Sequence, residues 1–387
     1  MNTILPHDTH HMQRALVLAR RGRFTTHPNP NVGCVIINAA GAVVGEGWHV
    51  RAGEAHAEVH ALRAAGEQAR GGTAYVTLEP CSHQGRTPPC ADALIAAGLK
   101  RVVVAMEDPF AAVSGRGIEK LRNAGIEVFV GVEARAAAKL NKGFMHCCKT
   151  GLPLVQVKLA ASIDGRTALA SGESKWITGP QARADVQLGR ALAGAILTGA
   201  DTVIYDNPRL NVRINEMPPD VFSPAVSKAD RCVQQPIRVV IDSLGRVPLN
   251  AGIFDDGVPV YLVRTRPLGL NYPAHVQELI VPDRHGKVDL KALLKTLAKM
   301  NVHTVWCEAG HQLAGALVGQ QLANELWLYI GPKLMGQGAQ PMLALPQYDS
   351  MAEVPQLHLQ EVQPIGHDVK LIYVCKQANT NQGVTRV

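Results

Sequence analysis

The chain has 387 residues, 47% of them hydrophobic and 18% charged, with a net charge of +7. That length exceeds what one hydrophobic core fills, so two domains are expected; no run nears the roughly 18 apolar residues of a membrane span, and the first residues lack the pattern of a secretory signal. A single-strand nucleic-acid binder needs stacking rings along a basic groove, but only 4% of residues are aromatic and no long Lys/Arg run occurs, so small anionic ligands account better for the charge.

A first helix is predicted from Asp8, as N-cap, to about Arg21, with Met12, Leu16 and Ala19 on one face. "VGCVII" and "AVVGEGW" read as a strand pair turning at Ala40-Gly41, and His56 to about Ala69 as a helix ended by Gly71-Gly72. "TAYVTLE" is a strand, Ala91–Ala97 a helix and "RVVVAM" a buried strand, followed by the helix "GRGIEKLRNAG" and the strand "IEVFVGV". This alternation predicts an α/β domain with a largely parallel sheet. The chain is best cut at Cys147–Pro153, giving a domain over 1–150 and a second α/β domain over 151–376. A polar, proline-containing insert between Asn215 and Gln235 is expected to be mobile, and the tail 377–387 to be disordered.

The chain has eight cysteines and no export signal, which argues against a disulfide framework. Six of them, Cys34, Cys147, Cys148, Cys232, Cys307 and Cys375, lack ligand spacing. Cys81 and Cys90 are different. With His56 they offer one imidazole and two thiolates, which leaves one position of a tetrahedral zinc ion open, as in catalytic sites. His83, one residue beyond Cys81, would reach that position only awkwardly. His56 and Cys90 are expected at helix N-termini, where free N–H groups favour thiolate. Glu58 fits beside such an ion as a proton carrier, because a carboxylate next to a zinc-bound water can take its proton and hand it on to a ring nitrogen and a leaving amine. The order His-x-Glu…Pro-Cys…Cys is the signature of zinc-dependent nucleobase deaminases. Eight residues rather than two separate the cysteines here, a loop carrying Arg86 that could meet a charged substrate.

The second half has no Gly-x-Gly-x-x-Gly, so a Rossmann site is not supported. In "EAGHQLAGAL", Gly310 and Gly315 bracket a helix start after a strand, an arrangement suited to phosphate. Lys158 on its strand reads as solvated, Ser162, Asp164 and Gly165 read as a turn, and Asp206 and Arg213 as turn residues or phosphate partners.

"HPNPNVGCVI", "GEGWHVRAGEAHAEVHAL", "TLEPCSHQGRTPPC" and "GRGI" together resemble the deaminase half of the bifunctional riboflavin-biosynthesis deaminase/reductase family. "VKLAASIDGRTA", "SGESKWIT", "AILTGADTV", "VVIDS" and "EAGHQLAGAL" look like its reductase half. The resemblance implies a cytidine-deaminase-like three-layer domain followed by a dihydrofolate-reductase-like domain. It implies hydrolytic deamination of a diaminopyrimidinone ribosylamine 5′-phosphate, then reduction of the ribosyl group to ribityl. Zinc and NADPH would be the cofactors, the location cytoplasmic, and the assembly a homo-oligomer, a dimer or tetramer, without nucleic-acid or membrane partners. By the same match, Asn29 and His49 would contact the deaminase substrate, and Ser174, Arg190, Leu210, Arg213 and Glu308 the reductase substrate. Ala160, Trp176, Thr202, Asp206, Ser243 and the run Gly310, His311, Gln312, Leu313, Ala314, Gly315, Ala316 would lie near the nicotinamide cofactor. Three positions depart from the family pattern: Phe110 replaces an asparagine, His311 a proline and Asn207 an aspartate. The competing reading is a nucleic-acid or nucleoside deaminase with an unrelated C-terminal domain.

Overall fold

The computed structural model describes residues 4–82, 89–110, 114–222 and 231–375. They divide into two compact units, one of Met1–Gly151 with Phe222–Gln234, the other of Leu152–Val221 with Gln235–Val387.

The first unit opens with α1 (Asp8–Ala19) and the hairpin β1 (Gly33–Ile37) and β2 (Val43–Trp48). Then follow α2 (Ala57–Ala65), β3 (Thr73–Val76), α3 (Cys90–Ala96), β4 (Arg101–Val104), α4 (Arg116–Asn123) and β5 (Glu127–Val130). The sheet order is β2-β1-β3-β4-β5. Only the β3–β4 and β4–β5 pairings are parallel, because the opening hairpin contributes two antiparallel ones; the expected largely parallel sheet is half so. Cys34 and Ile36 of β1 and Val102 and Val104 of β4 pack with α2 and α3 on one side. Val35, Tyr75 and Val103 meet Met12, Leu16 and Ala15 of α1 on the other.

Asp8 is not the N-cap. His7 is, without a side-chain cap, and Asp8 is buried, accepting from Arg101 at 2.7 and 2.9 Å and from the Tyr75 hydroxyl at 3.0 Å. A buried guanidinium competes better for that carboxylate than an exposed helix end does. The helix predicted from His56 to about Ala69 breaks at Gly66, whose φ of 53° turns the last residues into a 3₁₀ segment. Two helices fall where the sequence predicts no element, α5 (Ala134–Leu140) and α6 (Lys142–Thr150).

In the second unit, β6 (Leu154–Ser162) and β7 (Arg166–Ala168) lead to α7 (Pro180–Ala191), β8 (Ala195–Gly199) and α8 (Ala200–Asp206). Next come β9 (Ile237–Ile241), β10 (Val260–Arg264), β11 (Val276–Ile280) and the short β12 (Asp283–Arg284) and β13 (Lys287–Val288). The unit ends with α9 (Leu290–Lys299), β14 (Thr304–Glu308), α10 (His311–Gly319), β15 (Glu325–Gly331), β16 (Gln340–Pro341), β17 (Leu357–Ile365) and β18 (Asp368–Cys375). One nine-stranded sheet runs β11-β10-β9-β8-β14-β6-β15-β18-β17, parallel from β11 to β15 and antiparallel beyond. Leu293 and Leu297 of α9 and Leu317 of α10 cover one face. Val186 of α7, Val203 of α8 and the fully buried Trp306 fill the other.

Parallel strands raise loops at one common end, and ligands of open α/β sheets bind there. Here the carboxyl ends of β6, β8, β9 and β14 lead into Asp164, α8, Ser243 and α10. Of the insert expected between 215 and 235, residues 223–230 lie outside the described residues. So does the tail from 376 onward.

Candidate active sites

In the first unit the ends of three elements converge. His56 is the N-cap of α2, Cys90 begins α3, and Cys81 stands in the loop after β3. Nδ1 of His56 lies 3.2 Å from the Cys90 sulfur and 3.6 Å from that of Cys81, and the three ligand atoms all fall within 4.8 Å of one another. The Cys90 backbone N–H donates to the Cys81 sulfur at 3.3 Å. Hydrogen bonding from Cys90 and the adjacent His56 lower the Cys81 thiol and favour thiolate there, while Cys81 and burial push Cys90 up. One imidazole nitrogen and two cysteine sulfurs at these distances fit a tetrahedral zinc ion. Among the described residues the cluster has these three members; His83 and Arg86 lie outside them.

Glu58 sits in the first turn of α2, is 3% exposed, and has the Cys90 thiol within hydrogen-bonding reach. Burial pushes its carboxyl up to about 7, against the pull of His56. His49 is 2% exposed, and its ring meets that of His56 edge-on at 5.4 Å. Its Nδ1 faces the Ala55 carbonyl at 3.1 Å, which can only accept, so that nitrogen carries the proton. Nε2 is then the acceptor for the Asn29 amide at 3.0 Å. Burial lowers the His49 pKa, so the ring is neutral and its tautomer fixed. Asn29, His49, His56, Glu58, Cys81 and Cys90 thus lie together. Phe110, 53% exposed, has its backbone N–H bonded to Asp108.

In the second unit, Glu308 ends β14 and meets Arg190 from the last turn of α7. Arg190 donates to both Glu308 oxygens, at 2.5 and 2.9 Å, and to the Asn211 carbonyl at 3.0 Å; the Trp306 indole N–H adds a bond at 3.0 Å. Burial alone would raise the Glu308 carboxyl, but the Arg190 charge and hydrogen bonds, Lys158 and Trp306 hold it at about 2. Lys158 stands opposite Glu308 across β6 and β14 and is half-buried, not solvated as its sequence suggests. Burial lowers its pKa, with Glu308 and Asp206 opposing. Sequence reasoning misses it, since only the strand register reveals the pairing.

Ala160 follows on β6, Thr202 and Asp206 lie on α8, and Ser174 and Trp176 occupy the segment before α7. Trp176 is 62% exposed with the Arg183 guanidinium 4.5 Å over its ring. Ser243 follows β9, in a turn pinned by the buried Asp242, which accepts from Arg246 and Val247 N–H and from Arg264. Leu210 is buried, and Arg213 is exposed and paired with Glu216 at 2.7 Å. Gly310 is the N-cap of α10, so His311, Gln312 and Leu313 present the free N–H groups of a helix start. Nothing lies within 4 Å of where a Cβ on Gly310 would stand, which leaves the room a phosphate requires. Ala314 and Gly315 instead face inward, a Cβ on Gly315 falling 2.2 Å from the Ala344 carbonyl. His311 occupies the first helical position, where proline is favoured but not needed. Asn207 caps α8 with φ 42° and accepts from Gly252 N–H at 2.7 Å, a conformation that suits asparagine.

Two family models match the chain: the cytidine and deoxycytidylate deaminase zinc-binding region over residues 6–106, and the RibD C-terminal domain over residues 153–371. The chain is 52% identical to "Riboflavin biosynthesis protein RibD" of Escherichia coli, covering 94% of this chain and 98% of that one. The protein of the same name from Haemophilus influenzae is 47% identical, covering 94% and 96%. A solved structure of Acinetobacter baumannii RibD matches with a TM-score of 0.86 at 44% identity, covering 96% of this chain and 99% of that one. The Thermotoga maritima diaminohydroxyphosphoribosylaminopyrimidine deaminase/5-amino-6-(5-phosphoribosylamino)uracil reductase matches with a TM-score of 0.83 at 30% identity, covering 95% and 99%.

Proposed function

This chain belongs to the RibD family of riboflavin biosynthesis, and from that membership we propose a residue-by-residue account of its two reactions. It is a bifunctional enzyme, with a cytidine-deaminase-like domain that uses zinc and a dihydrofolate-reductase-like domain that uses NADPH. The reading of an unrelated C-terminal domain is not favoured, because the matches span both halves.

The deaminase reading is carried by the three ligand atoms within 4.8 Å of one another beside the buried Glu58. His56, Cys81 and Cys90 hold zinc, which when bound makes water a nucleophile at neutral pH. With zinc bound, Glu58 would take one proton of the attacking water and deliver it to the pyrimidine ring nitrogen, then take the second from the hydroxyl newly joined to carbon and pass it to the amine, which leaves as ammonia. Neutral His49 holds Asn29 by one amide N–H and so sets how Asn29 meets the substrate. In the reductase, bound NADPH would supply hydride to C1 of the ribosyl group, while the bond from C1 to the ring oxygen breaks and that oxygen takes a proton from solvent to become a hydroxyl. The free N–H groups of α10 and the turn at Ser243 bind the dinucleotide. Glu308, kept anionic by Arg190, accepts hydrogen bonds from the sugar.

The deciding experiment supplies the diaminopyrimidine ribosylamine phosphate with and without NADPH and follows ammonia and NADPH oxidation separately. Ammonia is expected without NADPH. Zinc removal by a chelator is expected to stop ammonia release while reduction of added deaminated product continues. Loss of both activities, or of neither, would refute the assignment of zinc to the first unit alone. Arg213 is exposed; its side chain pairs with Glu216 at 2.7 Å and its backbone N–H donates to Gln187, and an exposed pair of that kind is weak enough to be exchanged for the substrate phosphate. Arg213→Ala should raise the reductase KM by about 10- to 100-fold, the worth of a hydrogen bond to a charged group, and leave deamination unchanged; an unaltered KM would remove Arg213 from the site.

We also infer a cytoplasmic homo-oligomer. Among the described residues no helix is long and apolar enough to cross a membrane. The nine-residue outer strand β17 exposes Leu359 and Val362 at a sheet edge, a surface that favours pairing.

A further inference from the structure

Glu79 lies two residues before Cys81, is 4% exposed, and takes no part in the chemistry above. Its carboxylate collects backbone N–H groups. One oxygen accepts from Gly117 at 2.8 Å and Ile118 at 3.3 Å, in the first turn of α4. The other accepts from Gly115 at 2.9 Å and Asp108 at 3.1 Å, on the segment between β4 and α4. Its own N–H donates to the Met106 carbonyl at 3.0 Å. Pro80, between Glu79 and Cys81, is seated by the same helix: a Cβ on Gly117 would fall 1.9 Å from the Pro80 carbonyl oxygen. On its far side Cys81 is held by α3, through Ala91 N–H to its carbonyl at 3.1 Å and Cys90 N–H to its sulfur at 3.3 Å.

Cys81 is therefore gripped from both directions, by α3 directly and by α4 through Glu79 and Pro80. We propose that Glu79 is a positioning residue of the deaminase metal site, its carboxylate clamping α4, Asp108 and Gly115 to Pro80 so that the Cys81 sulfur is presented at ligand distance from His56 and Cys90. Four N–H donors meeting two oxygens is a demand that only a carboxylate meets, since an amide of the same shape has one accepting oxygen. The proposal rests on the assignment of zinc to His56, Cys81 and Cys90.

Outer partners that orient metal ligands typically carry about 10- to 100-fold in metal affinity. Glu79→Gln is therefore expected to weaken zinc binding by about that factor, measured by competition with a chromophoric chelator on the purified full-length protein. Deaminase kcat at low zinc should fall with occupancy and recover when zinc is added in excess, while reductase turnover stays at the wild-type value. Thermal melting of the metal-free proteins gives the control. A residue serving only to stabilise the domain would lower that melting temperature and leave the zinc affinity of the folded chain unchanged, and this result would overturn the proposal. If Glu79→Gln does not yield folded protein, Gly117→Ala, which pushes on Pro80 from the helix side, is measured the same way, and undiminished zinc affinity there would overturn it equally. Failure of the wild-type protein to bind zinc at all would instead refute the metal assignment.

Discussion

Replacing Glu58 by glutamine is expected to leave zinc in place and to lower deamination by about 10²- to 10⁴-fold, the usual contribution of a general acid–base group. The metal should stay because its ligands are His56, Cys81 and Cys90, whose mutual distances do not involve the Glu58 side chain. The fold should stay because glutamine matches glutamate in shape and is uncharged, and a buried neutral amide costs less than a buried carboxylate. What is lost is the shuttle: an amide neither takes the proton from water nor returns one to the amine. Reductase turnover with deaminated product is the internal control, since the reductase residues lie on elements of the other unit. Zinc content near one per chain with ammonia release reduced to that range supports the role. Deamination within a factor of a few of wild type would show that another group moves the proton, and zinc loss would show that Glu58 helps to hold the ion.

The deaminase site is legible in the sequence because its chemistry is local to short motifs. His56 and Glu58 share a helix start, and Cys81 and Cys90 bracket one loop, so residue type and spacing suffice. Asp8 misleads for the opposite reason. Its partner Arg101 is 93 residues away, and an acidic residue before an apolar helix looks like a cap when that partner is invisible. Helices α5 and α6 escape notice because "ARAAAKL" is mostly alanine, which offers no clear apolar face, and Asn141 splits the stretch in two. In the second unit the cofactor glycines announce a helix start, but the pairing of Lys158 with Glu308 is a matter of register between β6 and β14, strands about 150 positions apart in the chain. Glu79 belongs with these. Its adjacency to Cys81 is plain, yet its four N–H partners come from a loop and a helix that the fold alone brings to it.

Arg190→Leu is expected to abolish reduction and to destabilise the second unit by about 3–5 kcal/mol, the cost of leaving one partner of a buried ion pair alone. The pair is well shielded, with side chains 10% and 12% exposed. The Glu308 carboxyl offers an independent gauge. Held at about 2 against an ordinary 4.5, it contributes about 3 kcal/mol at neutral pH. Because the folded value is depressed, that stability is complete above about 4.5 and drains away as pH falls toward 2. Without Arg190, burial dominates and raises the carboxyl instead, so the variant should gain rather than lose stability as acid neutralises Glu308. The gap between wild type and variant should therefore be widest at pH 7 and narrow below pH 5. Fluorescence-monitored melts can follow it, since Trp306 donates to Glu308 and reports on this site. A gap that stays constant across that range would mean the pair does not control Glu308. The double change Arg190→Leu with Glu308→Leu removes both charges and should restore much of the stability, as apolar replacements of buried pairs often do. It should restore no reduction, because the sugar-binding carboxylate is gone, and this outcome separates the pair's part in catalysis from its part in holding the fold.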